Sequence, residues 1–196
     1  MDIYIGLLHH PVRNRLGETV TTAVTNLDIH DLTRAARTYD VRATYFVTPI
    51  EQQRSLVQRI IAHWQGGEGA EFNPVRAIAF ERTRVSETVD EAILEIESET
   101  GHKPLIVVTG AQLNENTTSY NTLRQRIEDT EGSLLLLFGT GWGLTDEFIN
   151  GCDMRLPGIN AVPGHDDYNH LSVRSAVSII LDRLLGDRSP SEGRAP

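Results

Sequence analysis

Five consecutive apolar residues, Leu134–Phe138 (LLLLF), stand between Gly132 and Gly139. A run so short and unbroken suits a strand covered on both faces, since a half-exposed strand would alternate apolar and polar residues. Such a strand needs helices above and below it. A second fixed element closes the chain: Val173, Ala176, Val177, Ile180, Leu181 and Leu184 recur at helical spacing and form one apolar stripe. Ser172 can cap its first turn and Gly186 follows its last. Burying each larger member of the stripe is worth roughly 1.5–3 kcal/mol, so this helix belongs to a core or an interface. Between the two elements lie three glycine- or proline-punctuated turns, at 139–144 (GTGWGL), 153–159 (DMRLPGI) and 168–176 (YNHLSVRSA). Glycines there leave main-chain groups open to close approach by a ligand.

The rest of the chain alternates in the same way. Asp2–Leu8, Ala43–Val47, Val75–Phe80 and Pro104–Thr109 read as further strands. Asn26–Tyr39, a segment from Thr48 to about Trp64, Ser86 to about Thr100, and Ser119–Thr130 read as helices. Asn26 or Asp28 is a candidate cap for the first, and Thr48-Pro49-Ile50-Glu51 reads as a capping box for the second. The cluster Gly66-Gly67-Glu68-Gly69 lacks the Lys-Ser/Thr of a phosphate loop and reads as a flexible surface loop. Strands alternating with helices give an α/β fold with a mostly parallel sheet flanked by helices, and ligands in such sheets bind beyond the carboxyl ends of the strands. One domain over 1–186, followed by a flexible tail over 187–196, is the expected organisation.

Composition narrows the function classes. No apolar run approaches a membrane span and no secretory leader opens the chain, which reads as a cytoplasmic protein. Cys152 is the only cysteine, so an internal disulfide and a cysteine-based metal site are excluded. His9-His10 has no third ligand at zinc spacing, and no metal is expected. The net charge of −9 argues against a broad basic footprint, and the helix over 86–100 carries Glu87, Asp90, Glu91, Glu95, Glu97 and Glu99 as a solvated face that RNA should avoid.

The order FGTGWGL, MRLPGI, NHLSVRSA resembles the C-terminal motifs of the SPOUT, or α/β-knot, methyltransferases. At the other end, LLHHPVRNRLGETVTTAVTNLDIHDLTRAARTYDV is similar to a bacterial family of S-adenosylmethionine-dependent RNA methyltransferases, found alone or fused to a tRNA (guanine-N1)-methyltransferase domain. The resemblance covers nearly the whole chain. It implies a C-terminal trefoil knot, an exception to the usual absence of threaded chains. It also implies S-adenosylmethionine as methyl donor, a structured RNA such as tRNA or rRNA as acceptor, and a homodimer with the last helix at the interface. The apolar stripe fits that interface and fits a monomer core equally.

The cofactor residues implied by the resemblance are Thr109, Gly110 and Ala111 after the fourth strand; Gly139, Gly141 and Trp142 after the fifth; Leu156, Gly158 and Ile159; and His170, Leu171 and Ser172. For catalysis the resemblance points to Arg34, the positional match to an arginine of the ribose-methylating branch, and to Asp166 or Asp167 as general base. Asn26 matches that branch's asparagine at a longer spacing. Two departures bear on the chemistry: the glycine motif lacks that branch's Glu, and Ser172 stands where its third motif has Asn. Plainer readings stand beside these. Gly164–Asp167 also reads as a polar turn, Arg34 as a surface partner of Asp28 or Asp31, Trp142 as a packing residue and His170 as a polar helix start. Two further functions compete: a non-catalytic module that binds S-adenosylmethionine or RNA for a partner enzyme, and a dehydrogenase suggested by Gly139-x-Gly141-x-Gly143. The latter lacks the acidic residue that a dinucleotide site places on a second strand.

Overall fold

The computed structural model describes residues 1–163 and 168–188. Six parallel strands form one sheet in the order β5-β4-β1-β7-β6-β8, with β1 Asp2–Leu8, β4 Ala43–Val47, β5 Thr83–Ser86, β6 Leu105–Val108, β7 Ser133–Gly139 and β8 Met154–Arg155. The pair β2 Val12–Arg13 and β3 Thr19–Val20 makes a small antiparallel ribbon. The LLLLF run is the inner strand β7, flanked by β1 and β6, and its side chains divide by pleat. Leu134, Leu136 and Phe138 join Ile5, Leu7 and Phe46 on one face, under helices α1 Asn26–Thr38 and α8 Val173–Leu185. Leu135 and Leu137 join Tyr4, Tyr45 and Val108 on the other, under α5 Val89–Thr100 and α7 Asp146–Asn150.

Helix α8 buries Val177, Ile180, Leu181 and Leu184 against α1 and α6 Tyr120–Asp129, so most of the apolar stripe is spent inside the subunit. Ser172 caps it, accepting from the N–H of Ser175 at 3.2 Å. Several expected boundaries move. Thr25, rather than Asn26 or Asp28, caps α1. Helix α2, Glu51–Gly66, starts after Ile50 with no side-chain cap, so the capping box over 48–51 does not form. Of Leu56, Val57, Ile60 and Ile61, only Val57 is fully buried. Thr88 replaces Ser86 as the cap of α5.

Pro74–Phe80 corrects the reading of Val75–Phe80 as a strand: it is helix α4. Asn73 accepts from the N–H of Arg76 at 3.1 Å and Pro74 sits in the first turn. That start signal outweighs the apolar run that follows it. The strand comes later, as β5. The glycine cluster before it is no simple loop either. Gly67 ends α2 and a short helix α3, Glu68–Phe72, follows. Gly69 is buried, and a Cβ there would lie 2.6 Å from Nε2 of His63 and 2.9 Å from the Trp64 ring. Its glycine serves close packing.

Candidate methyl-donor and RNA site

Strand order reverses direction between β1 and β7, since the chain builds outward to β4 and β5 on one side and places β6, β7 and β8 on the other. The carboxyl ends of strands at such a point form the ligand crevice of an open α/β sheet. Three of the four predicted cofactor segments begin there. Thr109, at the end of β6, is tied to β7 by its N–H and its hydroxyl, both donating to the carbonyl of Leu137 at 3.0 Å. Leu156 continues β8 beside β6, its N–H donating to the carbonyl of Val108 at 2.9 Å. Gly158 then lies directly on the first segment. Its N–H donates to the Leu113 carbonyl at 3.1 Å, and a Cβ at 158 would overlap the carbonyl of Ala111. Only glycine allows that approach. The hydroxyl of Tyr120 donates to the Pro157 carbonyl at 2.9 Å. Asn169 brings in the fourth segment, its side-chain amide donating to the Ile159 carbonyl at 2.8 Å.

The turn after β7 faces the loop after β1. Gly141 and Gly143 have φ of +59° and +95°, values that favour glycine. The Trp142 N–H donates to the Arg13 carbonyl at 3.1 Å and the Arg13 N–H to the Gly143 carbonyl at 2.8 Å. Trp142 itself is 56 % exposed, so the packing role does not hold and its ring is open to a ligand or partner. Leu171 is likewise 48 % exposed. Among the described residues the main-chain N–H groups of Gly110, Ala111 and Ile159 donate to no protein acceptor. Converging turns with free donors and a glycine-only contact fit a ligand gripped by main-chain groups, as S-adenosylmethionine would be.

Sequence reasoning missed two polar devices at the same end of the sheet. In the first, Thr140 donates to the Leu8 carbonyl at 3.1 Å, its hydroxyl meets that of Thr22, and Thr22 lies 3.1 Å from Nδ1 of His9. Followed back from the carbonyl, that chain places the donor proton on Nδ1 and leaves Nε2 bare. Nε2 is buried and has no partner among the described residues. Burial pushes the His9 imidazole down to about 4, against the pull of nearby Asp28. In the second device, Arg174 of α8 donates to Asp28 at 3.0 Å and approaches Asp31 at 3.3 Å, both on the first turns of α1. Asp28 is 5 % exposed and also accepts the Thr25 hydroxyl at 2.6 Å. Arg174 stands inside the NHLSVRSA motif, so the signal was there; its partner, distant in sequence, was not readable.

Arg34 lies exposed on α1 beyond these carboxylates. Because Arg174 holds Asp28 and Asp31, the surface ion pair expected for Arg34 does not form. Asp166 and Asp167 lie outside the described residues. His170 and Ser172 stand at the start of α8, where Ser172 acts as its cap. A cleft of about 620 Å³ lies at the other end of the sheet, lined by Asp2, Arg42, Arg84 and Glu99. It sits at the amino ends of the strands, and its arginines are already paired with carboxylates. No helix among the described residues is long and apolar enough to cross a membrane, and none of their side-chain groupings could hold a metal ion.

Comparison with known proteins agrees with this geometry. A protein of Aquifex aeolicus is 42 % identical over 183 residues, covering 93 % of this chain and 88 % of its own. A tRNA (guanine-N(1)-)-methyltransferase of Oleidesulfovibrio alaskensis is 41 % identical over 186 residues, 95 % of this chain. This chain spans only 42 % of that relative's length. The crystal structure of the SpoU methyltransferase AviRb from Streptomyces viridochromogenes with AdoMet bound superposes with a TM-score of 0.55 at 14 % identity, over 97 % of this chain and 58 % of that one. That likeness supports the SPOUT fold. The family model described as SAM-dependent RNA methyltransferase matches residues 2–186, and with these relatives it shows that the chain belongs to the S-adenosylmethionine-dependent RNA methyltransferase family.

Proposed function

We propose that this enzyme methylates a base or ribose of a structured RNA, tRNA or rRNA, with the donor held over the carboxyl ends of β6, β7 and β8. The observation that carries this reading is the meeting of the 109–111 and 156–159 turns, with Gly158 seated on Ala111 and Asn169 bonded to Ile159, at the same end of the sheet as the 139–143 turn. Thr109, Gly110, Ala111, Gly139, Gly141, Trp142, Leu156, Gly158, Ile159, His170, Leu171 and Ser172 are its cofactor residues. The bound sulfonium supplies an electrophilic methyl group, and no metal is needed to activate it. The protein's task is to align the acceptor and take its proton. Asp166 or Asp167, just before the fourth segment, is the proposed base. Arg34, exposed and without a carboxylate partner among the described residues, is proposed to meet a phosphate or to stabilise the deprotonated acceptor. The trefoil knot belongs to this reading.

A homodimer belongs to it too. Leu27, Trp142, Tyr168 and Leu171 expose apolar surface near the two ends of the site, at the start of α1 and in the cofactor segments. Exposed large apolar side chains of this kind suit a partner subunit. Two observations favour the second reading, a non-catalytic module: net charge −9 and a glycine motif without Glu. The test is incubation with labelled S-adenosylmethionine and total cellular RNA, beside calorimetric titration of the same donor. Methyl incorporation with micromolar donor binding is expected. Donor binding with no incorporation would favour the module, and no donor binding would overturn the methyltransferase reading and leave only a module that binds RNA.

A further inference from the structure

Several arginines of this acidic chain are spent on carboxylates, among them Arg42 on Asp2, Arg54 on Glu87, Arg82 on Asp40, and Arg84 on Glu95 and Glu99. Three of the arginines without such a partner stand at or beside one groove. A groove of about 470 Å³ between α1 and α2 is lined by Asn26, His30, Arg59, His63 and Trp64, with Leu56 and Ile60 at its floor. Arg76 of α4 lies over the Trp64 ring, its guanidinium carbon 4.8 Å from the ring centroid. Arg34 stands one turn beyond His30 on α1. Among the described residues neither Arg34, Arg59 nor Arg76 has a carboxylate partner.

His30 registers this concentration of charge. Its ring packs edge-on against Trp64 and Phe80, with centroids at 5.5 and 5.1 Å, and its Nδ1 is buried without a partner among the described residues. Burial lowers its proton affinity first. Arg76, Arg34 and His63 lower it further, and only Asp31 opposes them. Unpaired like charges around a half-buried imidazole repel one another, and an anion entering the groove would relieve that repulsion. The location is equally specific. Asn26 opens both the groove and α1, and the first turns of α1 are bound to α8 through Arg174, just after the 168–172 segment. One end of the groove thus lies at the start of α1, the helix that Arg174 joins to the start of α8.

We propose that this groove receives the phosphodiester backbone of the RNA beside the methylated nucleotide, with Arg59, His63 and Arg76 as its phosphate ligands. The proposal rests on the RNA methyltransferase reading and names where that RNA lies. The Trp64 ring is already stacked on Phe80, at 5.9 Å and 26°, and covered by Arg76, so it offers no free face to a base. The groove positions RNA and does not read its sequence.

The test uses the full chain and unfractionated tRNA, with affinity measured between about 50 and 200 mM salt. Arg59→Gln combined with His63→Gln, at two exposed positions, is expected to weaken tRNA binding about 10-fold at low salt and to flatten the salt slope by about 1 to 2. Donor affinity by calorimetry stays unchanged. In the native protein the His30 imidazole, followed by NMR, gains proton affinity when tRNA binds; in the double variant the gain is lost. Unchanged affinity and slope in the variant would overturn the proposal, as would absence of tRNA binding by the native protein at low salt. Poly-glutamate binding that the variant abolishes, with tRNA binding intact, would overturn it in favour of an acidic protein partner. If the variant loses tRNA affinity while the native protein transfers no methyl group, the groove stands and the catalytic reading falls.

Discussion

One methyl group at residue 158 separates a cleft from a collision. Gly158→Ala puts its Cβ into the Ala111 carbonyl, and overpacking of that kind costs roughly 1–3 kcal/mol. The cofactor turns must part to relieve it, so calorimetry is expected to show donor affinity falling at least about 10-fold, with a lower thermal midpoint. His9 gives the residue scale its pH dependence. Its ordinary value of 6.5 falls to about 4 on folding. Above pH 6.5 both states hold it neutral and the fold gains its full benefit. As pH falls from 6.5 to 4 the unfolded chain binds the proton first, and stability declines by up to roughly 3 kcal/mol. Urea unfolding across that range should show the decline, and His9→Gln should remove its share of it.

Among elements, the joint between α1 and α8 is the most consequential, because it ties the donor segment to the proposed acceptor side. Arg174→Met leaves Asp28 buried with one partner removed. The arginine is partly exposed, so the expected loss is roughly 1–3 kcal/mol, below that of a fully buried pair. Asp28→Asn in the same background should return part of it in chemical denaturation, since an uncharged amide tolerates the gap. The elements also show where the sequence was legible. The LLLLF strand and the α8 stripe announced themselves because one period and one pair of boundaries satisfied every local rule. Pro74–Phe80 misled because a short apolar run suits a strand or a helix alike, and there Asn73 and Pro74 decided. The proposed cofactor segments were suggested by their order along the chain. The His9–Thr22–Thr140 relay and the Asp28–Arg174 pair were not, because each joins residues that only the fold brings together.

At the scale of the whole molecule, the exposed Leu27, Trp142 and Leu171 give the proposed homodimer a measurable form. Sedimentation equilibrium is expected to show reversible self-association, and Leu171→Asp to shift it toward monomer without changing the thermal midpoint of the subunit. Charge is distributed just as unevenly. Helix α5 carries Asp90, Glu91, Glu95, Glu97 and Glu99 on one face of the sheet, while α1 and α2 pack on the other. To an approaching polyanion the protein has a front and a back. Repulsion from α5 disfavours encounters from that side, so a molecule that is acidic in sum can still meet a nucleic acid in one preferred orientation, the one that faces the proposed groove.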